Sequence, residues 1–425
     1  MTLSSPVYLF FFFPLVWSAA MLLHKRERKL WLCVALLGFY AFADLRNLYL
    51  LLCFCLFQYG LALKMQGKKG LLCLGLTLDV TFLVFFKLSG TTPIGLSFFC
   101  FQGVAYLVEV YRAPEKASRD AVEVLLYLCF FPRLICGPLM GWDEHHRQYK
   151  TLHMDVKTSA EGLCRFVKGL GKKLLLADML APLVNEVYAA DAAALSAAGA
   201  WLGALAYCFQ LYFDFSGYSD MAIGMGKAFG FTFPENFDRP YAAHSIADFW
   251  RRWHISLGSW FRNYVYIPLG GSRKGKVRTA LNKAAVFLLT GLWHGIGPTF
   301  ILWGLWHALF SALESLFHIR RSISRLYTPL VVLLGFVMFR AETTAQGFAL
   351  IARLFSFRSG LLPQLNGVRC SALILSVPFA TVKLPGKMKK AIPFWCSFTA
   401  SLLLFIICLC VLAGNQFAPF IYAQF

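Results

Sequence analysis

Two histidines stand where this apolar sequence leaves little room for ionisable side chains. His294 lies in LLTGLWHGIGPTFILWGLWHALF (Leu288 to Phe310), between Trp293 and a breaker cluster of Gly295, Gly297 and Pro298. His254 lies in WRRWHISLGSWFRNY (Trp250 to Tyr264), fifteen residues that also hold three tryptophans and three arginines. Unperturbed imidazole titrates near pH ~6.5, so it takes a proton from a hydroxyl and returns it within one reaction cycle. The chain shows no G-x-S-x-G elbow, no P-loop and no H-E-x-x-H helix. Covalent serine catalysis, nucleotide hydrolysis and a zincin are therefore disfavoured. General-base activation of a hydroxyl toward a thioester remains the economical chemistry. The histidine takes the hydroxyl proton, a donor dipole steadies the tetrahedral oxyanion, and the thiolate departs readily.

Such a base must be positioned by the elements around it. Arg278, in a basic loop, precedes His294 by sixteen residues. As helix that is about 24 Å, short of a hydrocarbon thickness of about 30 Å. The chain then returns through Phe300 to Phe317 to another basic loop. The spacing predicts His294 at the turn of a helical hairpin, deep in the membrane, where an ionisable residue is by default functional. His307, on the returning helix with no breaker beside it, reads as a packing histidine. His24, His145, His146, His153, His244 and His318 read as members of polar or basic loops. The Trp250 to Tyr264 stretch predicts one amphipathic helix. Trp250, Trp253, His254, Leu257, Trp260, Phe261 and Tyr264 form its aromatic face, opposite Arg251, Arg252 and Arg262. His254 sits at the edge of that face and needs a polar partner, so a structural hydrogen bond and a catalytic role are both open.

Hydrophobic residues make up 58% of the 425-residue chain and charged residues only 15%, with a mean hydropathy of +0.61. That balance predicts a polytopic membrane protein. Apolar runs recur at Val7 to Leu23, Leu30 to Ala43, Leu48 to Leu63, Leu71 to Lys87, Ile94 to Val110, Ala121 to Ile135, Leu195 to Phe215, Phe300 to Phe317, Leu326 to Phe339 and Phe394 to Ala413. With shorter segments, the expectation is an all-α integral membrane protein of roughly ten to thirteen membrane helices, as one domain over residues 1–425. Re-entrant and interfacial amphipathic helices would complete it around a central cavity. Val7 to Leu23 reads as a retained span, because basic residues follow it.

The net charge of +20 is a topology signal and not a nucleic-acid footprint, since the bases sit in short loops between apolar runs. His24 to Lys29, Lys64 to Lys69, Tyr111 to Arg119, Ser272 to Arg278, His318 to Arg325 and Lys387 to Lys390 are all expected on the cytoplasmic side, which places the amino terminus outside. The thirteen cysteines lie mostly inside apolar runs, with no CxxC pair and no Cys/His spacing suited to zinc. They read as small buried side chains, and no metal site is expected. Gly- and Pro-punctuated stretches such as CGPLMGWDEHH and GFTFPENFDRPY signal irregular backbone, tolerable at membrane depth only where it is buried or lines a wet cavity.

Several blocks, in order and over nearly the whole chain, resemble the membrane-bound O-acyltransferases, in particular the bacterial branch containing the alginate O-acetyltransferase membrane subunit. They include PIGLSFFCFQGVAYLVEVYR, FFPRLICGPLM, QLYFDFSGYSDMAIGMGKAFGF, FPENFDRPY, FWRRWHISLGSWFRNYVYIPLGGSRKG, GLWHG and the terminal PFIYAQF. The resemblance implies that His294 is the principal catalytic residue and that His254 is functional. It implies a ring of helices with a cytoplasmic approach for the acyl donor and an outer cavity for the acceptor. Arg251 and Arg252 would then face an arriving anionic donor, with positive-inside anchoring as the competing account. Trp253 and Trp293, beside the histidines, are candidate substrate contacts. Asp214, Ser216, Tyr218 and Asp220 in FDFSGYSD are candidate polar lining, although a structural ion pair for Asp214 is equally open.

The implied activity moves a short acyl group, acetyl foremost, from a cytoplasmic thioester to hydroxyls of an extracytoplasmic polysaccharide, or to a partner that completes the transfer. The thioester would be acetyl-CoA or an acyl carrier protein, serving as cosubstrate with no tightly bound cofactor. The implied setting is the bacterial cytoplasmic membrane, and the implied partner is an accessory protein of the SGNH-hydrolase type. D-alanyl transfer to teichoic acid from a carrier protein and a transporter without chemistry are the alternatives. Asn263, where the family often has aspartate, and Pro298, where it often has tryptophan, depart from the pattern without touching either histidine.

Overall fold

The computed structural model describes residues 3–317, 321–382, 393–414 and 420–421. Among them the chain is helical apart from one isolated bridge between Leu195 and Leu361. The basic run Lys387 to Lys390, His318 and most of the terminal PFIYAQF lie outside the described residues. The helices are α1 (Tyr8–Leu22), α2 (Lys25–Asp44), α3 (Leu48–Met65), α4 (Lys69–Ser89), α5 (Leu96–Arg112), α6 (Ala121–Cys129), α7 (Trp142–Lys150), α8 (Val156–Gly171) and α9 (Asp178–Ala189). They continue as α10 (Ala197–Ala228), α11 (Ile246–Arg252), α12 (Ile255–Phe261), α13 (Gly275–His294), α14 (Pro298–Leu316), α15 (Arg321–Arg340), α16 (Thr344–Leu354), α17 (Gly367–Thr381) and α18 (Phe394–Gly414). Four described stretches are long and apolar enough to cross a membrane: Lys25–Met65, Lys69–Ser89, Ile323–Arg340 and Phe394–Gly414.

The chain forms two compact units. The first comprises Met1–Leu170, Tyr218–Glu235 and Phe394–Phe405. Here α2 and α3 are joined by a single tight turn, because the Asn47 amide donates to both Asp44 carboxylate oxygens at 3.0 Å. The run Ala121 to Ile135 does not form one span: α6 stops after nine residues. Pro132 follows, where a missing N–H and a ring clash oppose further helix. His145 and His146 are not loop residues but belong to α7. The α7 helix buries His145 against Trp142 and Phe231, and His146 Nδ1 lies 2.7 Å from Glu123 Oε1. Arg165 donates to both Asp220 and Glu235, tying α8 to the end of α10 and the segment after it.

The second unit comprises Gly171–Gly217, Asn236–Pro393 and Ile406–Phe425. Its dominant feature is the helical hairpin expected from the sequence. Gly291 and Gly304 face each other across it so closely that a Cβ on Gly291 would lie 2.7 Å from the Phe300 carbonyl oxygen, and one on Gly304 would lie 2.8 Å from that of Phe287. Hydrogen at those two positions lets the backbones of α13 and α14 touch, as small residues do in membrane helix pairs. Gly295 to Gly297 make the turn. Pro298 begins α14, where its missing N–H has no helical partner to lose.

Candidate active site

The site is assembled inside the second unit from α11, α12 and the hairpin. Ser245 caps α11 by accepting from Asp248 N at 2.9 Å. Glu314 of α14 accepts from Ile246 N at 2.6 Å and from Ala247 N at 3.0 Å. A carboxylate at a helix N-terminus satisfies unpaired donors and complements the dipole, so α11 is fastened to the hairpin at its first turn.

The stretch Trp250 to Tyr264 is not the single helix that its periodicity predicts. The α11 helix ends at Arg252, Trp253 is extended, and His254 is left-handed at φ 46°, ψ 53° before α12 begins. A non-glycine residue there costs roughly 1–2 kcal/mol, so neighbouring bonds must hold it. The loop before α11 supplies them. Asp238 N donates to Arg252 O at 3.0 Å on one side of the junction, and Ile255 N donates to Asn236 O at 2.9 Å on the other. The Asn236 side-chain oxygen accepts from Ser256 N at 3.2 Å and Ser256 Oγ at 2.9 Å, and it lies 3.2 Å from His254 Nδ1. Helical periodicity had no means of showing this break, because the bonds that hold it come from residues many positions earlier in the chain.

The break re-aims the aromatic residues. Trp253 turns inward onto Phe249, Phe237 and Phe336, while Trp250 packs on Phe287, Trp303 and His307. His254 is buried with its ring edge-on to Phe215 at 4.6 Å. His294 is the last residue of α13 and is also buried, among Trp293 at 4.4 Å, Trp303 at 5.2 Å and Phe339 at 5.0 Å. Trp293 spans the space between the two histidines, its ring centroid 6.4 Å from that of His254.

His254 and His294 line the same cavity, about 660 Å³ in volume, with Trp250, Trp253, Thr290 and Trp303. Arg251, Arg262 and Lys283 also line it, and among the described residues no carboxylate does. Such a wall favours a negatively charged guest. Lys283 was missed at the sequence level, since a lysine within α13 reads as one more basic residue near a loop. Asn236 lies in the FPENFDRPY block but was not singled out, because an asparagine in a Pro-bounded loop does not reveal which distant side chain it will meet.

Of the remaining candidates, Arg251 meets the cavity and the others fall elsewhere. Arg251 is largely exposed and pairs with Asp248 at 3.1 Å, whereas Arg252 turns to the same carboxylate and away from the cavity. Asp214 does not line the cavity. Of its two open roles the structure shows the ion pair: Lys173 Nζ lies 2.7 Å away, and Ile421 N donates to its other oxygen at 2.8 Å. Lys173 also bonds Asp178 at 2.8 Å, so the lysine is shared by two carboxylates. Ser216 is buried near that pair in sequence and not in the cavity wall, and Tyr218 and Asp220 belong to the first unit. His307 is fully buried among Trp250, Phe287 and Trp303. The described residues hold no cluster of three or more metal-ligating side chains.

A family model described as MBOAT, membrane-bound O-acyltransferase family, matches residues 39–330, a span that takes in both histidines and every residue lining the cavity. A probable alginate O-acetylase of Pseudomonas putida is 35% identical, with all of both chains covered. A peptidoglycan O-acetyltransferase of Helicobacter pylori is 36% identical over 70% of this chain and 67% of its own. A teichoic acid D-alanyltransferase of Bacillus subtilis is 29% identical over 49% of this chain and 55% of its own.

Proposed function

The chain belongs to the membrane-bound O-acyltransferase family, and on that premise we propose that it transfers a short acyl group, acetyl foremost, from a thioester to hydroxyls of a cell-surface polysaccharide. The observation that carries this reading is the shared cavity: the hairpin histidine His294 and the buried His254 meet one space whose largely apolar wall also holds Arg251, Arg262 and Lys283. His294 is the general base. It takes the hydroxyl proton as the oxygen attacks the thioester carbonyl, a C–O bond forms, and the C–S bond breaks. The proton then passes from the imidazolium to the departing thiolate, which leaves as thiol. His254 either orients the acceptor hydroxyl or polarises the thioester carbonyl. Arg251, Arg262 and Lys283 attract the phosphates of a donor such as acetyl-CoA or a phosphopantetheine-bearing carrier protein, with Trp253 in the wall and Trp293 packed against the two histidines.

The reading includes about ten to thirteen membrane segments, the bacterial cytoplasmic membrane as setting, and a partner of the SGNH-hydrolase type to complete transfer. An enzyme of this family is not the transporter that composition alone left open. D-alanyl transfer remains the competing chemistry, supported by the B. subtilis relative. The full-length match to an alginate O-acetylase, against half-length for the D-alanyltransferase, favours acetyl. The test supplies membranes containing the protein and an isolated envelope polysaccharide with either ¹⁴C-acetyl-CoA or a D-[¹⁴C]alanyl carrier protein. Label from acetyl-CoA in alkali-labile polymer esters supports the proposal. Label from the D-alanyl carrier alone replaces it with the competing one.

A further inference from the structure

The bonds around Asn236 determine which nitrogen of His254 carries the proton, and that choice separates the two roles left open above. A backbone N–H only donates, so the Asn236 atom 3.2 Å from Ser256 N is the amide oxygen. Ser256 Oγ meets the same oxygen at 2.9 Å and, facing an atom that only accepts, donates its own proton. His254 Nδ1 is the third group on that oxygen, at 3.2 Å. It too faces a pure acceptor, so a bond there requires Nδ1–H. A neutral imidazole has one N–H, and its lone pair is then on Nε2.

We propose that Asn236 is a positioning residue that fixes His254 as the Nδ1–H tautomer and thereby makes its Nε2 a hydrogen-bond acceptor for a non-reacting hydroxyl of the acceptor sugar, not a donor to the thioester carbonyl. This rests on the reading of His254 as a functional residue in the cavity. The backbone supports the same assignment. His254 occupies a left-handed conformation braced by Asn236 O and by the Asp238 to Arg252 bond, which fixes the direction in which its side chain leaves the backbone, and the ring then stands edge-on to Phe215 at 4.6 Å with Nδ1 toward the Asn236 amide. A neutral Nε2 has no proton with which to polarise a carbonyl. It accepts from a neighbouring, non-reacting hydroxyl of the acceptor sugar, which seats that sugar on the His254 side of the cavity and leaves the single proton of the reacting hydroxyl to His294.

The test uses the full-length protein in lipid bilayers with ¹⁵N-ring-labelled histidine. Solid-state NMR of the neutral-pH sample, less that of His254→Asn, isolates the His254 nitrogens. The proposal expects a proton-bearing Nδ1 and a bare Nε2 in the wild type, retained in Asn236→Asp, which keeps the acceptor. It expects redistribution toward Nε2–H in Asn236→Leu, which removes it. Nε2–H in the wild type would overturn the proposal, and that result needs no folded Asn236 variant. Nδ1–H persisting in an inserted Asn236→Leu would also overturn it. In acylation, Asn236→Leu should lose at least about tenfold, and the Asn236→Leu/His254→Ala double variant should fall no further than His254→Ala alone, because both act through one group. Additive losses count against it. Wild-type turnover in His254→Ala with Nδ1–H still observed would instead remove the catalytic reading of His254 and, with it, the role assigned to Nε2.

Discussion

At the scale of single residues, the two histidines ask different things of their positions. His294 needs a turn beside it, and that was legible: a basic loop, sixteen residues of helix and a Gly-Gly-Pro cluster define the spot. His254 needs a partner for each end of its ring, and the sequence showed only that one was required. Its partner, Asn236, became visible only when the two segments were brought together. This difference predicts a graded series. His254→Asn should retain partial activity, since the amide replaces one hydrogen-bonding end of the imidazole, and His254→Ala should lose most of it. His307→Ala should lose less than either, because His307 is packed behind Trp250 and Trp303 and its loss costs packing, not chemistry. Product formed per inserted protein across the three variants checks the order. A His307→Ala loss equal to that of His254→Ala would move the second functional histidine to α14.

At the scale of elements, periodicity was a good guide to long helices and a poor one to the junction at His254. The hairpin of α13 and α14 appeared where charge and hydropathy placed it. The Trp250 to Tyr264 stretch also has helical periodicity, yet tertiary bonds from Asn236 and Asp238 break it at His254. Local pattern reports the preference of the isolated segment, and here bonds from another part of the chain override it. Two consequences follow for the backbone. His254→Gly and His254→Ala both remove the imidazole, but only glycine relaxes at φ 46°. The glycine variant should therefore be the more stable of the pair by about 1 kcal/mol, read as a higher thermal midpoint in detergent. Equal midpoints would show that the left-handed turn carries no strain. Gly291→Val should force α13 from α14, since its Cβ alone would meet the Phe300 carbonyl. A shift of about 1 Å at His294 should cost on the order of 10²-fold in turnover, and unimpaired activity in a well-inserted Gly291→Val would contradict the fixed-hairpin account.

For the whole molecule, composition and loop charges pointed to an all-helical membrane protein, and the helical structure and the family agree with that reading. Irregular segments were less legible. Pro132 cuts the Ala121 to Ile135 run, and α7 hides its histidines among aromatic rings, because burial by distant elements leaves no local trace. Orientation follows from the basic loops and is testable directly. A single cysteine at Lys274, in a cysteine-depleted background, should resist an impermeant thiol reagent in intact cells and react after permeabilisation. Labelling from outside would invert the protein and put the donor on the wrong side. The central claim, that acyl transfer runs through the hairpin histidine, is tested by His294→Ala. Acylated polysaccharide should be measured in cells holding equal membrane levels of wild type and variant. The account predicts a loss of roughly 10² to 10⁴-fold with insertion unchanged, the contribution expected of a positioned general base. Undiminished product from an equally abundant His294→Ala protein would contradict it.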